Sequence, residues 1–361
     1  MSCNLLIQSN SWNAYILTLN YNKTLSHVMK YYISLFTMAA FVMFIVSCQS
    51  NENQSEDDQS ETEEDSVQVH TGGMILGGEY GGKEFAIAQG NEIDKMMDVI
   101  KSYNEMDVEK IWKNSADSVS VLSFDGTKTK LTKEEMTGYF SSLDSVNWVI
   151  DAMVPLEIVG EDVVKIIVLT REKAYMKNGE AMKMRLVEEF TFEDGVMAGV
   201  RQWTADLNEE IEAIPSYGNP DGAMIFTGDH KGKEMMIAKG NEMDQMMKII
   251  DDFNDMDAAA IWENSADTVT MYAADGNVRK LTEDSMKGFF DSADSVDWAV
   301  SEIIPLEVED TSIKKVIIDS YETINSKEGD DSYIRLFEVF TFKDGKLVTI
   351  SQWTAEVEKE M

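Results

Sequence analysis

Two glutamates occupy matching places in two alternating rows of apolar residues. Along Met184–Phe192 every second residue is apolar except Glu188, and Ile334–Phe342 repeats this pattern around Glu338. Successive side chains of a β-strand point to opposite faces, so period two places each glutamate on an otherwise apolar face. If that face lines a pocket, desolvation raises the pKa of the carboxyl group and produces a candidate general base. Glu188 and Glu338 are therefore our candidate catalytic residues. A hydrogen bond near the sheet end, or an ion pair with Lys or Arg, would instead make them structural groups.

Polar and aromatic residues near these rows define a candidate ligand site. Gln202 and Gln352 fall on the inner face of the following strand, where an amide can orient a polar ligand or donate to an oxyanion. Tyr139 could act together with an acid, whereas the corresponding residue later in the chain is Phe289. The candidate ligand-binding residues are Gln202, Gln352, Tyr139, Trp112 and Trp262. The two tryptophans also suit an apolar core, because large aromatic side chains dominate small cores.

The composition argues against several kinds of site. The chain has two cysteines, Cys3 and Cys48, three histidines, and a formal net charge of −35. So few thiols and imidazoles argue against disulfides, thiolate nucleophiles, histidine bases and zinc sites. We predict no metal and no cofactor. The negative charge also argues against nucleic-acid binding, which needs Lys and Arg patches.

The candidate residues recur because residues 72–205 and 222–355 are two copies of one unit. The copies align at a constant offset, so that Trp112 corresponds to Trp262. Each copy has the size of a domain and is too long for a solenoid repeat. We predict domain 1 at 71–206, a linker at 207–221 and domain 2 at 222–361.

Within each copy, helical periodicity comes first and strand periodicity follows. The first copy shows a helix over Ile93–Tyr103, a short helix capped by Asp107 and ending at Trp112, and a strand at Val119–Leu122. A third helix starts with a capping box at Thr132. Four long strands follow at Val146–Ile158, Val163–Met176, Met184–Phe192 and Val196–Thr204. This order indicates an α+β unit with its helices packed on one face of a curved antiparallel sheet.

Three short motifs mark the start, middle and end of each copy. Gly90–Glu92 opens the long helix, Trp112–Asp117 follows the short helix, and Phe190–Val196 contains the turn of the last hairpin. Together they resemble the nuclear transport factor 2-like (NTF2-like) superfamily, with the SnoaL-like branch most similar, over nearly all of both copies. The resemblance implies two tandem cone-shaped domains, each enclosing a pocket between sheet and helices. Members include isomerases, cyclases, dehydratases, transport factors and ligand binders.

Two further features are interpreted as turns. Asp117 and Asp267 precede the first strand of each copy, and turn capping is the favoured role over catalysis at a pocket mouth. Gly77–Lys83 is glycine-rich like a phosphate loop but lacks the following Ser or Thr, so we interpret it as a hairpin or lead-in.

The outer faces of the sheets are expected to be covered. The strand that carries Glu188 also exposes Val187 on its other face, and such half-apolar surfaces need a partner. Members of the superfamily commonly dimerise back to back, so we expect the two copies to form a pseudo-twofold pair within one chain. Trp203 and Trp353 are assigned to this interface.

A predicted membrane-targeting segment precedes the two copies. Residues 29–47 contain the apolar run Ile33–Val46, which is too short for a comfortable membrane span and suits a secretory signal. The run ends at Ile45–Cys48, which resembles a bacterial lipobox and implies cleavage and lipidation at Cys48. An uncleaved signal anchor is the alternative. Residues 1–28 fit no targeting pattern, and we interpret them as the result of a mis-assigned start codon.

Residues 48–70 are predicted to form a disordered acidic tether. They are rich in Asp and Glu, contain no Lys or Arg, and have few apolar residues to bury. The expected location is a lipid anchor in the bacterial cell envelope, at the outer membrane, on its periplasmic or surface face. Acids after a lipidated cysteine resemble the export signal of surface lipoproteins in some Gram-negative bacteria.

Three functions are compatible with this sequence. The first is a non-catalytic module that binds a small apolar or amphipathic ligand or a partner protein. The second is an isomerase, cyclase or hydratase that uses Glu188 and Glu338 as bases. The third is a structural envelope protein with filled domains.

Overall fold

The computed structural model describes residues 72–211, 217, 220–327, 329 and 331–357. The predicted upstream segment, signal peptide, lipidated Cys48 and tether lie outside these residues, as does part of the predicted linker. The described residues belong to one compact unit, His70–Met361. Among them, no helix has both the length and the apolar character needed to cross a membrane.

Both copies contain the same elements in the same order. The first copy contains β1 (Gly73–Ile75), β2 (Glu84–Ile87), α1 (Asn91–Asn104), α2 (Val108–Trp112), β3 (Ser115–Leu122), β4 (Lys128–Thr132), α3 (Lys133–Ser142), β5 (Leu143–Ile158), β6 (Val163–Met176), β7 (Ala181–Glu193) and β8 (Val196–Asp206). The second contains β9 (Ala223–Ile225), β10 (Glu234–Ile237), α4 (Glu242–Asn254), α5 (Ala258–Glu263), β11 (Ser265–Tyr272), β12 (Val278–Leu281), α6 (Glu283–Ser292), β13 (Ala293–Val308), β14 (Ile313–Ser326), β15 (Ser332–Lys343) and β16 (Lys346–Ala355). The predicted helices and long strands are present, and an N-terminal hairpin and a short strand before the third helix add to them.

Two helix starts are set by side-chain caps. At α2, the Asp107 carboxylate accepts a hydrogen bond from the Lys110 backbone N–H at 3.2 Å. At α3, the Thr132 N–H donates to Glu135 Oε2 at 2.7 Å, and the Glu135 N–H donates to Thr132 Oγ1 at 3.3 Å. These bonds satisfy N–H groups that the first helical turn leaves without partners. Both predicted caps are confirmed.

The interpretation of Asp117 and Asp267 as turn caps is wrong. Both residues lie inside strands, β3 and β11, and their side chains are exposed. In the first copy Ser115 pairs with Met197 of β8 and Ser118 pairs with Thr132 of β4, so strand pairing extends on both sides of Asp117. The strand begins before its first apolar residue, which is why the apolar pattern placed its start too late.

The glycine-rich segment forms a turn. It connects β1 to β2, and Gly78 and Gly82 adopt φ values of 76° and 86°, a region that side chains with a Cβ rarely occupy. The β1–β2 hairpin therefore precedes α1, and the copy does not open with a helix as the periodicity predicted.

The two copies exchange backbone hydrogen bonds through their N-terminal hairpins. In the first hairpin, β2 pairs with β5 of its own copy while β1 pairs with β13 of the second copy, with Met74 opposite Ile303. In the second hairpin, β10 pairs with β13 while β9 pairs with β5 of the first copy, with Met224 opposite Met153. A further pairing joins β8 to β16. The strands of both copies consequently form one continuous sheet, antiparallel except where β3 meets β8 and β11 meets β16.

The outer faces of the long strands pack against each other between the copies. Trp203 of β8 is fully buried there, with its ring centroid 5.1 Å from that of Phe337 on β15. The guanidinium of Arg335 lies 4.6 Å from the Trp203 ring centroid, and that of Arg185 lies 5.2 Å from the Trp353 centroid. Each copy thus places an arginine over a tryptophan of the other, which adds cation–π attraction to a shared apolar core.

Buried ions cross the same interface. Lys165 and Arg201 of the first copy pair with Glu302 and Asp319 of the second, respectively. The Glu189 carboxylate forms ion pairs with both cations, with its Oε1 3.3 Å from Lys165 Nζ and 3.4 Å from Arg201 Nη1. We call these five residues the ionic cluster. Burial alone would raise the pKa of Glu189, but Lys165 and Arg201 hold it well below its usual range.

Candidate functional site

A pair of buried glutamates lies on the inner face of the first copy. Glu188 of β7 is 7% exposed and sits opposite Val168, and Glu172 of β6 is 5% exposed and sits opposite Met184. Both residues fall on the strand faces that carry the inner apolar core. Strand alternation therefore places two carboxyl groups on the inner, mainly apolar face of the sheet.

Three further polar side chains lie beside this pair and are linked to it by hydrogen bonds or short oxygen–oxygen distances. Gln202 of β8 lies opposite Glu188, and its Nε2 donates to Glu188 Oε1 at 2.8 Å. The Tyr103 hydroxyl, on α1, donates to Glu172 Oε1 at 3.3 Å. The Tyr139 hydroxyl, on α3, lies 3.5 Å from that of Tyr103. Two helices and three strands thus contribute five polar groups to a single site.

Burial raises the pKa of every acidic group in this site. Desolvation, strengthened by the charge of Glu188, raises the pKa of Glu172 to about 8. Desolvation also raises the pKa of Glu188 to about 7, although the hydrogen bond from Gln202 opposes it. Burial and the nearby Glu172 raise the pKa values of Tyr103 and Tyr139. Both shifts favour the protonated form, so a carboxyl group of this pair can act as a proton donor near neutral pH, while the hydrogen bond from Gln202 favours the ionised form of Glu188.

The second copy keeps the carboxyl groups and lacks the phenols. Glu338 of β15 accepts a hydrogen bond from Gln352 Nε2 at 3.2 Å, and Glu322 of β14 lies on the same inner face. Phe253 and Phe289 stand where the first copy has Tyr103 and Tyr139. Burial raises the pKa of Glu322 to about 7, and burial together with Glu322 raises that of Glu338 to about 8.

The remaining candidate residues lie farther along the helices. Trp112 ends α2 half-buried and packs against the inner core of the first copy. Trp262 is also half-buried, and its indole N–H is enclosed without a hydrogen-bond partner. The aromatic ring nearest to Tyr103 is that of Trp148, with centroids 4.9 Å apart. Ligand binding by Trp112 and Trp262 stays a prediction.

Glu172, Glu322 and Tyr103 were missed as site residues. The signal for the glutamates was present, because Val168, Thr170 and Glu172 alternate with residues of the other strand face, as do Ile318, Ser320 and Glu322. Tyr103 ends the helix predicted over Ile93–Tyr103, and only the packing of α1 over β6 brings its hydroxyl to Glu172. Among the described residues, no group of three or more His, Cys, Asp or Glu side chains could hold a metal ion.

The chain matches no protein-family model and no curated protein sequence. Solved structures similar to part of it include NTF2-like and SnoaL-like proteins. An NTF2-like protein of unknown function from Burkholderia pseudomallei K96243 is 15% identical, with 31% of this chain and 89% of that chain covered and a TM-score of 0.24. A protein assigned to the SnoaL-like polyketide cyclases, from Jannaschia sp. CCS1, is 11% identical, with coverage of 32% and 85% and a TM-score of 0.26. The epoxide hydrolase/cyclase-like enzyme SalBIII, which acts in pyran ring formation in the polyether salinomycin, is 16% identical, with coverage of 33% and 95% and a TM-score of 0.28. At such low TM-scores these likenesses establish nothing about the activity of this chain.

Proposed function

We propose that the protein is a lipid-anchored envelope protein that binds a small apolar or amphipathic ligand at the acid pair of its first copy. In this proposal residues 71–206 and 222–361 are two NTF2-like cone-shaped domains paired within one chain. Cys48 carries the lipid at the outer membrane, and residues 48–70 hold the domains away from it.

One observation carries the proposal. Glu172, Glu188, Gln202, Tyr103 and Tyr139 converge at a mainly apolar core, which also contains the buried hydroxyl of Thr170. A few polar groups that converge within an apolar lining are typical of small-molecule sites, where they orient the ligand. Acids with strongly raised pKa values are also enriched at functional sites. The ligand class that fits is a compact apolar body with one polar group.

The binding proposal is tested with 2-naphthol and naphthalene as probes. The full chain is expected to bind 2-naphthol, followed by quenching of tryptophan fluorescence, at least tenfold more tightly than naphthalene, because only 2-naphthol offers a hydroxyl to the acid pair. Glu188→Leu is expected to remove this preference. Glu157→Gln, which alters an exposed glutamate on β5, is the matched control and should leave it intact. Equal affinity for both probes would contradict the proposal.

A second function, acid–base catalysis, is favoured by the two phenols and the near-neutral acids of the first copy. A substrate carbonyl could accept a hydrogen bond from the protonated Glu172 while the Glu188 carboxylate removes an adjacent proton. A general base of this kind contributes roughly 10²–10⁴-fold to a rate.

This function is measured as exchange of the α-protons of 2-cyclohexenone in D₂O by NMR. The wild-type chain is expected to accelerate the exchange, and Glu188→Gln to lower the catalysed rate by about 100-fold or more. The double variant Glu188→Gln plus Glu338→Gln should lose it entirely. Catalysis that survives in the double variant would end the enzyme hypothesis for these residues, whereas Glu157→Gln controls for a general effect of losing a carboxylate.

A further inference from the structure

The second copy contains a buried acid that receives no hydrogen bond from the described residues. In the first copy, Tyr103 donates to Glu172. The corresponding residues are Phe253 and Glu322, so the donor is missing while the acid is kept. Glu322 is 7% exposed and has no ion pair within the described chain. A largely buried carboxyl group that receives no hydrogen bond from the described residues carries a desolvation penalty that a ligand could relieve.

The missing hydroxyl does not reflect a different packing of the helix. The Phe253 ring centroid lies 5.3 Å from that of Trp298, and Tyr103 lies 4.9 Å from Trp148 in the first copy. The contact with a phenylalanine of the third helix is also kept: in the second copy the ring centroids of Phe253 and Phe290 lie 5.3 Å apart. The Phe253 ring therefore stands where the phenol ring of Tyr103 stands in the first copy, and it brings no hydroxyl group to this position.

Aromatic rings continue around this position. Phe289 stacks on Phe253 with centroids 6.0 Å apart, where the first copy places the Tyr139 hydroxyl near Tyr103. Trp298 lies 5.7 Å from Phe340, a neighbour of Glu338 on the inner face of β15. Glu322 and Glu338 thus share a site bounded by rings that offer π faces and no phenolic donor.

We propose that this second-copy site binds an organic ammonium ion, with the cationic N–H groups donating to Glu322 and the rings of Phe253 and Phe289 surrounding the carbon next to nitrogen. An ammonium group has several N–H donors and no acceptor. These donors match the two carboxyl groups of the site, whose amide, that of Gln352, already donates to Glu338. Its positive charge is attracted to aromatic faces and lets both carboxyl groups be ionised at once. The proposal does not depend on the function proposed for the first copy.

The alternative occupant is a neutral molecule with a hydroxyl group. It could donate to Glu322 but would not offset the repulsion between two carboxylates, and it would gain no cation–π attraction. The first-copy site, where the Tyr103 hydroxyl already donates to Glu172, suits such a neutral ligand better. The two copies would then differ in the charge of what they bind.

Isothermal titration of the full chain with benzylammonium chloride, benzyl alcohol and sodium benzoate tests the proposal. The expected result is one benzylammonium per chain, with benzyl alcohol and benzoate at least tenfold weaker at the site that Glu322→Gln alters. Glu322→Gln should weaken benzylammonium at least tenfold. Phe253→Tyr, which restores the donor of the first copy, should also weaken it, and Glu157→Gln should leave it unchanged.

Four results would overturn the proposal. One is benzyl alcohol binding that is as tight as benzylammonium binding and is weakened by Glu322→Gln, and another is the absence of benzylammonium binding. The third is undiminished binding to Phe253→Tyr, a conservative variant that remains informative if Glu322→Gln does not fold. Loss of binding in Glu172→Gln with retention in Glu322→Gln would assign the cation to the first copy and equally refute it.

Discussion

Replacing Lys165 with methionine is expected to lower the free energy of unfolding by about 3–5 kcal/mol, the range for removing one partner from a buried ion pair. Lys165 lies between Glu189 and Glu302, and both carboxylates are almost fully buried. Without the lysine, Arg201 is the cation that pairs with these two carboxylates and with Asp319, and Arg335 acts on Asp319 and Glu189 without forming an ion pair. The ionic cluster would then hold three acids and one cation in a medium where uncompensated charge is costly.

The second copy provides a matched control for this experiment. Lys315 corresponds to Lys165 and makes no ion pair within the described residues, and burial lowers its pKa. Lys315→Met should therefore be neutral or stabilising, because it removes a desolvated charge and keeps the apolar stem. Urea unfolding followed by far-UV circular dichroism measures both variants. Equal losses of stability in the two variants would show that Lys165 acts through packing and not through charge.

Stability is expected to decrease as pH rises from about 5 to about 8. The folded protein raises the pKa values of Glu172 and Glu338 to about 8 and of Glu188 and Glu322 to about 7, from an ordinary value of 4.5. Between these limits the unfolded chain has released protons that the folded chain still holds, so rising pH favours unfolding. The stabilisation is complete below the unfolded value and is lost as pH passes through the folded values. The carboxylate of Glu189 has the opposite dependence, because its pKa is lowered, and it contributes to unfolding only in acid.

Glu338→Gln isolates one of these groups. The amide cannot ionise and retains the shape of the side chain, so the variant should be more stable than the wild type at pH 8 by on the order of 2–4 kcal/mol, since each pKa unit corresponds to about 1.4 kcal/mol. At pH 5 the two proteins should differ little. Denaturant titrations from pH 5 to pH 9 give the slope directly, and Glu157→Gln is again the exposed control. A flat or rising stability for the wild type over this interval would show that the four glutamates are ionised in the folded state.

The sequence predicted the local features of each copy better than the contacts between copies. Alternation placed Glu188 and Gln202 on one inner face, and the caps at Asp107 and Thr132 followed from side-chain chemistry within a few residues. Glu172 was missed because it lies in a run of polar residues that hides the alternation of β6. Local patterns determine which face a residue occupies, and they do not show which distant residue it meets.

The ionic cluster illustrates this limit. Lys165 and Glu302 are separated by 137 positions, and neither residue has a neighbour in sequence that indicates an ion pair. The corresponding positions in the other copy are Lys315 and Ala152. The repeat predicts the same contacts in both copies, whereas this ion pair forms on one side of the interface only. The exchanged hairpins were missed for a related reason. Strands as short as β1 and β9 have too few residues to show a period.

The exchanged hairpins also affect the time at which this chain can fold. Met74 reaches its partner strand only at Ile303, so nearly the whole of both copies must be synthesised before β1 can pair. Rates of folding fall as the mean sequence separation of contacts grows, because the entropy of loop closure is lost before those contacts form. Until β9 arrives, the edge of β5 also remains open to strands of other chains, which favours aggregation of unfinished molecules. An arrangement that ties the finished copies together by backbone hydrogen bonds thus makes their assembly slow and leaves a partly made chain exposed.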